Sequence, residues 1–233
     1  MAAPTFVSAG SIVNDLTGGA STTPTPPTHQ TNDILLAVSV NAAGATMTTA
    51  TGGWIKIAEG GTTALCAAFW RRAPAAGTAG PTITASGTDQ WALVYVFRSV
   101  TLGGDAIENG VALGTTDATP GTSAIVINGP DRLVCAVAGI DSNAAYTSGL
   151  PPAGWTNSSD LSDANGTTSR FTLITKTEAN PTTEAAVNVG TFAASHNGAV
   201  ITLALPGVAA ITTWPKLYPA ASMTEVSLKT GVR

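Results

Sequence analysis

Along the chain, short apolar runs alternate with clusters of Gly, Pro, Asn and Thr. Phe171 and Leu173 alternate with polar neighbours, a period of two that is typical of a strand with one face on a core. The runs 90–100 and 197–205 are apolar on both faces, which predicts central strands covered on both sides. No long stretch has the 3.6-residue period of a helix. The pattern therefore predicts an all-β protein built as a sandwich or barrel.

The chain also contains an internal repeat, which organises these strands. Four blocks match at offsets that grow along the chain: 32–40 with 130–138 (offset 98), 53–54 with 154–155 (101), 68–72 with 172–176 (about 104) and 92–96 with 199–203 (107). Small loop insertions between strands would produce such a drift. We expect two pseudo-equivalent halves, about 1–103 and 104–207. Each half ends in a strand that it could not cover alone, so the halves should share one core.

The predicted fold is an antiparallel two-sheet sandwich, jelly-roll-like, over residues 1–207, followed by an extended C-terminal arm at 208–233. The repeat is finished at 207, and prolines in the last 26 residues favour an extended chain. These residues are too apolar for an idle tail. We predict that the arm docks on a neighbouring subunit or a larger assembly; the alternative is that it folds back along its own sandwich. The candidate assembly residues are Trp214, Leu217, Tyr218, Met223, Val226 and Leu228.

Trp54 and Trp155 occupy the same position in the two halves, each directly after a glycine. Paired aromatic residues on the rim of a sandwich suit the stacking of sugar rings. The sequence favours a second interpretation, in which each tryptophan fills an equivalent end of the core, because a large aromatic side chain buries about 150–250 Å².

Composition and charge exclude several classes of function. Only 10% of the residues are charged against 44% hydrophobic, and the net charge is −4. No basic cluster could neutralise phosphates, so we expect no nucleic acid as a partner. The longest apolar runs are far shorter than the roughly 20 residues that span a bilayer, so we expect no membrane partner. The N-terminus lacks the pattern of a secretory signal, which predicts that the protein folds in the cytoplasm where it is made.

Candidate catalytic and metal-binding residues are few. Cys66 and Cys135 have small apolar neighbours, which predicts buried free thiols, with a single disulfide between them as the alternative. With only His29 and His196 as further ligands they cannot form a zinc site. Neither histidine accompanies a Gly-x-Ser-x-Gly elbow, and no glycine pattern for phosphate binding occurs. The acidic stretch 160–166 lacks the ligand spacing of a calcium loop. We therefore expect no cofactor, no metal and no enzymatic activity.

Several blocks resemble duplicated β-sandwich virion proteins encoded in the structural gene clusters of tailed bacteriophages. The resemblance covers about residues 30–207 and rests on four segments: NDILLA at 32–37, GGWIKIAEG at 52–60, AAFWRRA at 67–73 and QWALVYVFR at 90–98. It implies a component of the head surface or of a tail fibre, and it brings no catalytic motif. The arm after 207 departs from the repeated pattern.

Two classes of function remain open at this stage. The first is a non-enzymatic virion structural protein, a homo-oligomer that decorates or stabilises a phage head or forms an accessory fibre, with capsid or tail proteins as partners. Such a protein would be located in the virion after synthesis in the bacterial host cytoplasm. The alternative is a carbohydrate-binding or host-adhesion module, because sandwiches with rim aromatics often bind glycans. Exposure of Trp54 and Trp155 would favour the alternative.

Overall fold

A computed structural model describes residues 3–17, 21–87, 89–102, 107–164 and 168–208. All regular secondary structure in these ranges is β-strand. The strands of the described residues are β1 (Thr5–Ala9), β2 (Val13–Asp15), β3 (Ser21–Thr22), β4 (Ile34–Asn41), β5 (Thr48–Thr49), β6 (Ile55–Gly61), β7 (Leu65–Arg72), β8 (Ile83–Thr84), β9 (Gln90–Arg98), β10 (Glu108–Thr115), β11 (Ile125–Ile127), β12 (Arg132–Ile140), β13 (Thr156–Asp163), β14 (Ser169–Glu178), β15 (Thr182–Glu184) and β16 (Gly198–Pro206).

These strands form two main sheets and two small ones, with antiparallel pairing throughout. The first main sheet has the order β1-β9-β4-β7-β6, with β2 also paired to β9, and the second has the order β10-β16-β12-β14-β13. The small sheets are β3-β8-β5 and β11-β15. The predicted all-β antiparallel sandwich is confirmed. The jelly-roll connection and the origin of the halves in a duplication stay predictions.

Each half of the chain supplies one main sheet, and the inner faces of the two sheets form a central hydrophobic cluster. Tyr95 and Phe97 from the first half pack there with Phe171 and Leu173 from the second. The outer faces carry two further clusters, one including Ile83 of the small sheet β3-β8-β5 and one including residues of β11. The molecule therefore has three apolar layers, of which only the central one is shared between the halves.

The central strands are buried on both faces, as the apolar runs predicted. In β9, Leu93 faces the central cluster and the adjacent Val94 faces an outer cluster, and both have no exposed surface. In β16, Ile201 and Val200 divide in the same way. Both strands lie inside their sheets, next to an edge strand on one side and a buried strand on the other.

The two main sheets correspond strand by strand, but two of the predicted offsets are wrong by one residue. Ile34 and Leu133 both face the central cluster, which makes the offset 99 rather than 98. Trp91 and Ala199 likewise face it, at an offset of 108 rather than 107. A shift of one residue turns every side chain of a strand to the opposite face. The sequence-based alignment therefore assigned the inward and outward faces of these strands incorrectly.

The offset of 101 around the two tryptophans agrees with the structure. The strand after each tryptophan pairs irregularly with its neighbour at the same place, between Lys56 and Ala58 in β6 and between Asn157 and Ser159 in β13. A β-bulge of this kind bends and twists an edge strand. The bend thus occurs at equivalent points of the two sheets.

Gly139 is a position where the two main sheets approach closely. A Cβ atom at Gly139 would lie 2.5 Å from Sγ of Cys66 and 2.7 Å from Cγ2 of Val40. Both neighbours belong to the buried central cluster, so they have little room to move. A side chain at residue 139 would therefore separate the sheets.

Gly139→Ala is expected to lower the free energy of unfolding by about 1–3 kcal/mol because it overpacks this contact. Urea unfolding monitored by tryptophan fluorescence measures the change. Gly52→Ala is the matched control, since a Cβ there would meet nothing within 4 Å. The control should be neutral or slightly stabilising. Equal stabilities of the two variants would contradict the close approach.

Candidate functional site

The two tryptophans that could have formed a sugar-binding rim are buried. Trp54 and Trp155 are each 7% exposed and belong to the two outer clusters. Each follows a glycine in the left-handed region, Gly53 with φ of 81° and Gly154 with φ of 82°. These glycines turn the chain so that the indole points into the core. The interpretation of both tryptophans as core residues is confirmed, and neither ring face is available for stacking on a ligand.

His29 is a buried structural residue. Its Nδ1 lies 2.8 Å from the carbonyl oxygen of Pro27, and its Nε2 lies 2.9 Å from the backbone nitrogen of Thr78. The backbone N–H must donate to Nε2, so the ring is the tautomer whose Nδ1–H donates to Pro27. Both nitrogens are therefore used to join the Pro-rich segment to the loop before β8. His29 has no free nitrogen with which to act as a base.

His196 lies in a polar cluster that sequence reasoning did not bring together. Its Nε2 is 3.5 Å from Oγ of Ser142, and its ring packs edge-on against Phe192. Ser142 Oγ also accepts a hydrogen bond from the backbone nitrogen of Ala144 at 3.1 Å. A separation of 3.5 Å is at the limit of hydrogen bonding, and Ser142 is only 7% exposed. The arrangement therefore gives no activated serine nucleophile.

Asp141 is the acidic residue of this cluster, and its carboxyl group is poorly solvated. Burial raises the pKa of its carboxyl group, and the negative charge of Asp89 raises it further, while His196 acts in the opposite direction. Burial also lowers the pKa of His196. Oδ1 of Asp141 is buried and has no hydrogen-bond partner among the described residues. Burial thus disfavours the charged form of both side chains in the folded protein.

Asp141→Asn is expected to raise the free energy of unfolding at pH 7 by about 1 kcal/mol, since it removes a poorly solvated charge that water still partly screens. The raised folded-state pKa means that the wild-type carboxyl contributes its full stability below the unfolded pKa of about 3.9 and loses it as the pH rises through the folded pKa. The difference in the free energy of unfolding between Asp141→Asn and the wild-type protein should therefore disappear in acid. Urea unfolding from pH 3 to pH 8 measures it, with the exposed Asp117→Asn as control; a gain that persists in acid would contradict the explanation.

Asp160 belongs to an ion pair with Arg170. It accepts hydrogen bonds from Arg170 at 2.5 Å and from Thr172 at 2.9 Å across β13 and β14. Arg170 is 8% exposed and lies over the ring of Tyr146, which stacks on Phe192 at 4.1 Å. Loop 145–150, Asp160 and Arg170 line a pocket of about 350 Å³. The second half of the chain thus forms a small polar pocket that is lined by the buried side chain of Arg170.

Cys66 and Cys135 are free and fully buried in the central cluster. Burial raises the pKa of both thiols. Because the thiolate is the reactive form, neither cysteine is suited to nucleophilic or redox chemistry. The interpretation of both residues as buried free thiols is confirmed.

The last described residues of the chain are hydrogen-bonded to both halves. The backbone nitrogen of Gly207 donates to Asp131 at 3.1 Å, and that of Val208 donates to Ser99 at 3.2 Å. Val208 is 40% exposed, and Leu102 in the connection between the halves is 66% exposed. The six candidate assembly residues lie in 209–233, outside the described residues. The described chain therefore ends at an apolar spot that is attached to both halves.

The edge strands of the two main sheets meet along one side of the sandwich, which we call the closed seam. There β6 packs against β10, with Ile57 against Gly110 and with small residues on both strands further along. A Cβ atom at Gly60 would lie 2.8 Å from Cβ of Ala112, and one at Gly114 would lie 3.0 Å from Cα of Gly61. The small residues allow the two edges to approach to backbone contact and shield one another.

The opposite side of the sandwich carries larger residues at the corresponding positions. The strand registers place Leu161 and Ser162 of β13 where β6 has its two glycines. They also place Ile12 and Asn14 at the positions of Ala112 and Gly114. The edges β1–β2 and β13 stand apart here and leave a groove of about 400 Å³, which we call the open groove. It is lined by Ala9, Gly10, Ser11, Ile12, Asn14, Leu161, Ser162 and Asp163.

The described residues contain no group of three or more His, Cys, Asp or Glu side chains that could hold a metal ion. Within the same ranges there is no helix that is long and apolar enough to cross a membrane. Comparison of the chain with protein-family models, curated proteins and solved structures finds no match. The class of the protein is therefore defined by its fold alone, an antiparallel all-β sandwich.

Proposed function

We propose that this chain is a non-enzymatic structural protein of a tailed-phage virion, which decorates or stabilises the head or forms an accessory fibre. The observation that carries the proposal concerns Val208, the last described residue. The strands and hydrophobic clusters of the described residues are formed before this point. The segment that follows carries six large apolar side chains beyond the last strand. A segment of that kind is suited to attachment to capsid or tail proteins or to a second copy.

The distribution of charge supports burial of large surfaces in an assembly. Several cations of the described residues already contact carboxylates: Arg98 with Asp33 at 2.7 Å, Arg132 with Glu108 at 2.8 Å, and Lys176 with Glu184 at 2.8 Å. The rest of the surface is rich in Thr, Ser and Gly. Covering such a surface removes few unpaired charges from water, so association has a low desolvation cost. Many identical weak contacts on a symmetric particle would add avidity.

Mass spectrometry of purified particles, with the protein localised by immunogold microscopy, tests the proposal. We expect the chain to be present at many copies per particle and to label either the head or a fibre. Its absence from particles that were purified away from host protein would refute the virion assignment.

Carbohydrate binding is the second candidate function, favoured by the pocket at loop 145–150. Asp160 and Arg170 offer an acceptor and a donor side by side, which suits neighbouring sugar hydroxyls. The ring of Tyr146 already stacks on Phe192 and lies under the guanidinium of Arg170, so a sugar would contact the polar groups of the pocket. A glycan array with the full chain and with Ser148→Trp, which would fill the pocket, distinguishes this candidate. Binding that is lost in the variant would favour it.

A further inference from the structure

We infer that the open groove between β1–β2 and β13 receives the segment 209–233 of a second copy of the chain. The inference rests on the proposed homo-oligomeric virion protein and names the surface through which its copies are joined. Three observations carry it: the different residues at the two seams, the position of the groove between edge strands of the described sheets, and the length and charge of the segment.

The first observation is that the groove is open because of particular side chains. At the closed seam, glycine and alanine let the two edges cover each other. At the open groove, the corresponding positions hold Leu161, Ser162, Ile12 and Asn14, and the edges are held apart. The separation is bridged by Asn14, whose Nδ2 donates to Oδ2 of Asp163 at 2.6 Å. A sandwich that shields one pair of edges with its own residues leaves the other pair to be covered by something else.

The second observation is that the walls of the groove are sheet edges. Among the described strands, β1 and β2 pair only with β9, and β13 pairs only with β14. The other side of each strand can therefore bond to an added extended chain, as in β-strand addition. The wall from Ala9 to Asn14 lies opposite Tyr95 to Trp91 of β9, four residue steps that span about 13 Å at the rise of a strand. The groove thus accommodates an extended segment of about five residues, with apolar contacts from Ile12 and Leu161.

The third observation concerns the segment itself. It contains Lys216, Lys229 and Arg233 against Glu225, a net charge of +2, which leaves −6 for the rest of the chain because the total is −4. Asp163 lines the groove and Asp15 follows Asn14, so the charges are complementary. Twenty-five extended residues reach up to about 80 Å, whereas the nine-residue strands of the sandwich span about 30 Å. The segment is therefore long enough to reach from Val208 to the groove of a neighbouring molecule.

Each copy has one such segment and one groove, so exchange between copies can satisfy every molecule of a closed assembly. The apolar residues at the exit, Leu102 and Val208, would face the neighbour at the point where the segment crosses. The groove would then serve as the acceptor site of the homo-oligomer.

Disulfide trapping between two variants that each carry one added cysteine tests the inference. One full-length chain carries Ser162→Cys in the groove, and the other carries Tyr218→Cys or Leu217→Cys in the segment. The native Cys66 and Cys135 are buried and do not compete. After mixing and mild oxidation, we expect a disulfide-linked heterodimer about tenfold above that obtained with Thr183→Cys, an exposed control on β15. Equal yields with the control would overturn the assignment of the groove.

A chain that carries Ser162→Cys and Tyr218→Cys together identifies the source of the segment. Cross-linking within a monomer, without linked dimers, would overturn the second copy as the occupant and show that the segment folds back on its own sandwich. As an independent measurement, Ser162→Trp should fill the groove and weaken self-association about tenfold in sedimentation, whereas Thr183→Trp should not. Both positions are exposed, and unchanged circular dichroism would exclude misfolding.

The outcomes separate this inference from the proposed function. Linked heterodimers from a protein that is absent from virions would leave the groove assignment standing and remove the virion proposal. A protein that is abundant in virions but gives no specific cross-link would support the virion proposal and overturn the assignment of the groove.

Discussion

Replacing Trp54 or Trp155 with Ala is expected to lower the free energy of unfolding by about 3–5 kcal/mol. Each indole is 7% exposed and lies in an outer cluster, so truncation leaves a cavity between a main sheet and its covering layer. The layers are held by short strands of two or three residues, which cannot collapse far into the space. Urea unfolding by circular dichroism measures the loss, and we expect the two variants to be affected about equally.

Trp214→Ala is the control for this pair, because it makes the same substitution in the segment after the sandwich. We expect it to change the free energy of unfolding by less than about 0.5 kcal/mol. A Trp54→Ala variant that keeps its stability but loses glycan binding would reverse the interpretation. It would support the adhesion module and not the structural protein.

Deleting 208–233 is expected to leave the sandwich folded and to abolish self-association and attachment to particles. The described strands end at Pro206, and the hydrophobic clusters are formed by residues before it. Removing 208 costs one backbone hydrogen bond to Ser99, worth about 1 kcal/mol, so the melting temperature should fall by only a few degrees. Calorimetry and sedimentation velocity of the two chains, together with particle-binding assays, measure the two effects separately.

A full-length chain with Trp214, Leu217 and Tyr218 changed to Ser is the matched control for the deletion. It keeps the length of the segment and removes much of its apolar surface. The same loss of association in this chain would assign the effect to these side chains. Complete unfolding of the truncated chain would place the segment in the core and defeat the idea of an attachment arm.

The main strands and their burial could be predicted from the sequence because their apolar runs are long and bounded by turn residues. The faces could not be assigned. In β12, Leu133 to Ala138 is apolar at every position, so a period of two gives no signal for which side chains face inward. The offset of 101 between the two halves was predicted correctly at the two Gly-Trp pairs. A glycine that adopts a positive φ, followed by a large aromatic residue, can be aligned in only one way.

The clusters formed by loops could not be predicted. His196 and Asp141 are 55 residues apart in the chain, and they meet because β12 and β16 pair, with the backbone nitrogen of Asp141 donating to Asn197. The open groove likewise depends on the comparison of two strand edges from opposite halves. Its signal in the sequence is the replacement of Gly60 and Gly61 by Leu161 and Ser162. That signal becomes readable once the offset of 101 is known.

The shared central cluster has a consequence for a chain shortened to one half. Such a chain would expose the inward face of its main sheet, including Tyr95 and Phe97 or, in the other half, Phe171 and Leu173. A second copy of the same half could cover that face with matching strands. The predicted duplication would make the two sheets equivalent to the subunits of a symmetric homodimer, joined by the residues between β9 and β10. In such a dimer the two edges would be alike, whereas here β6 packs against β10 and the edges β1–β2 and β13 leave a groove.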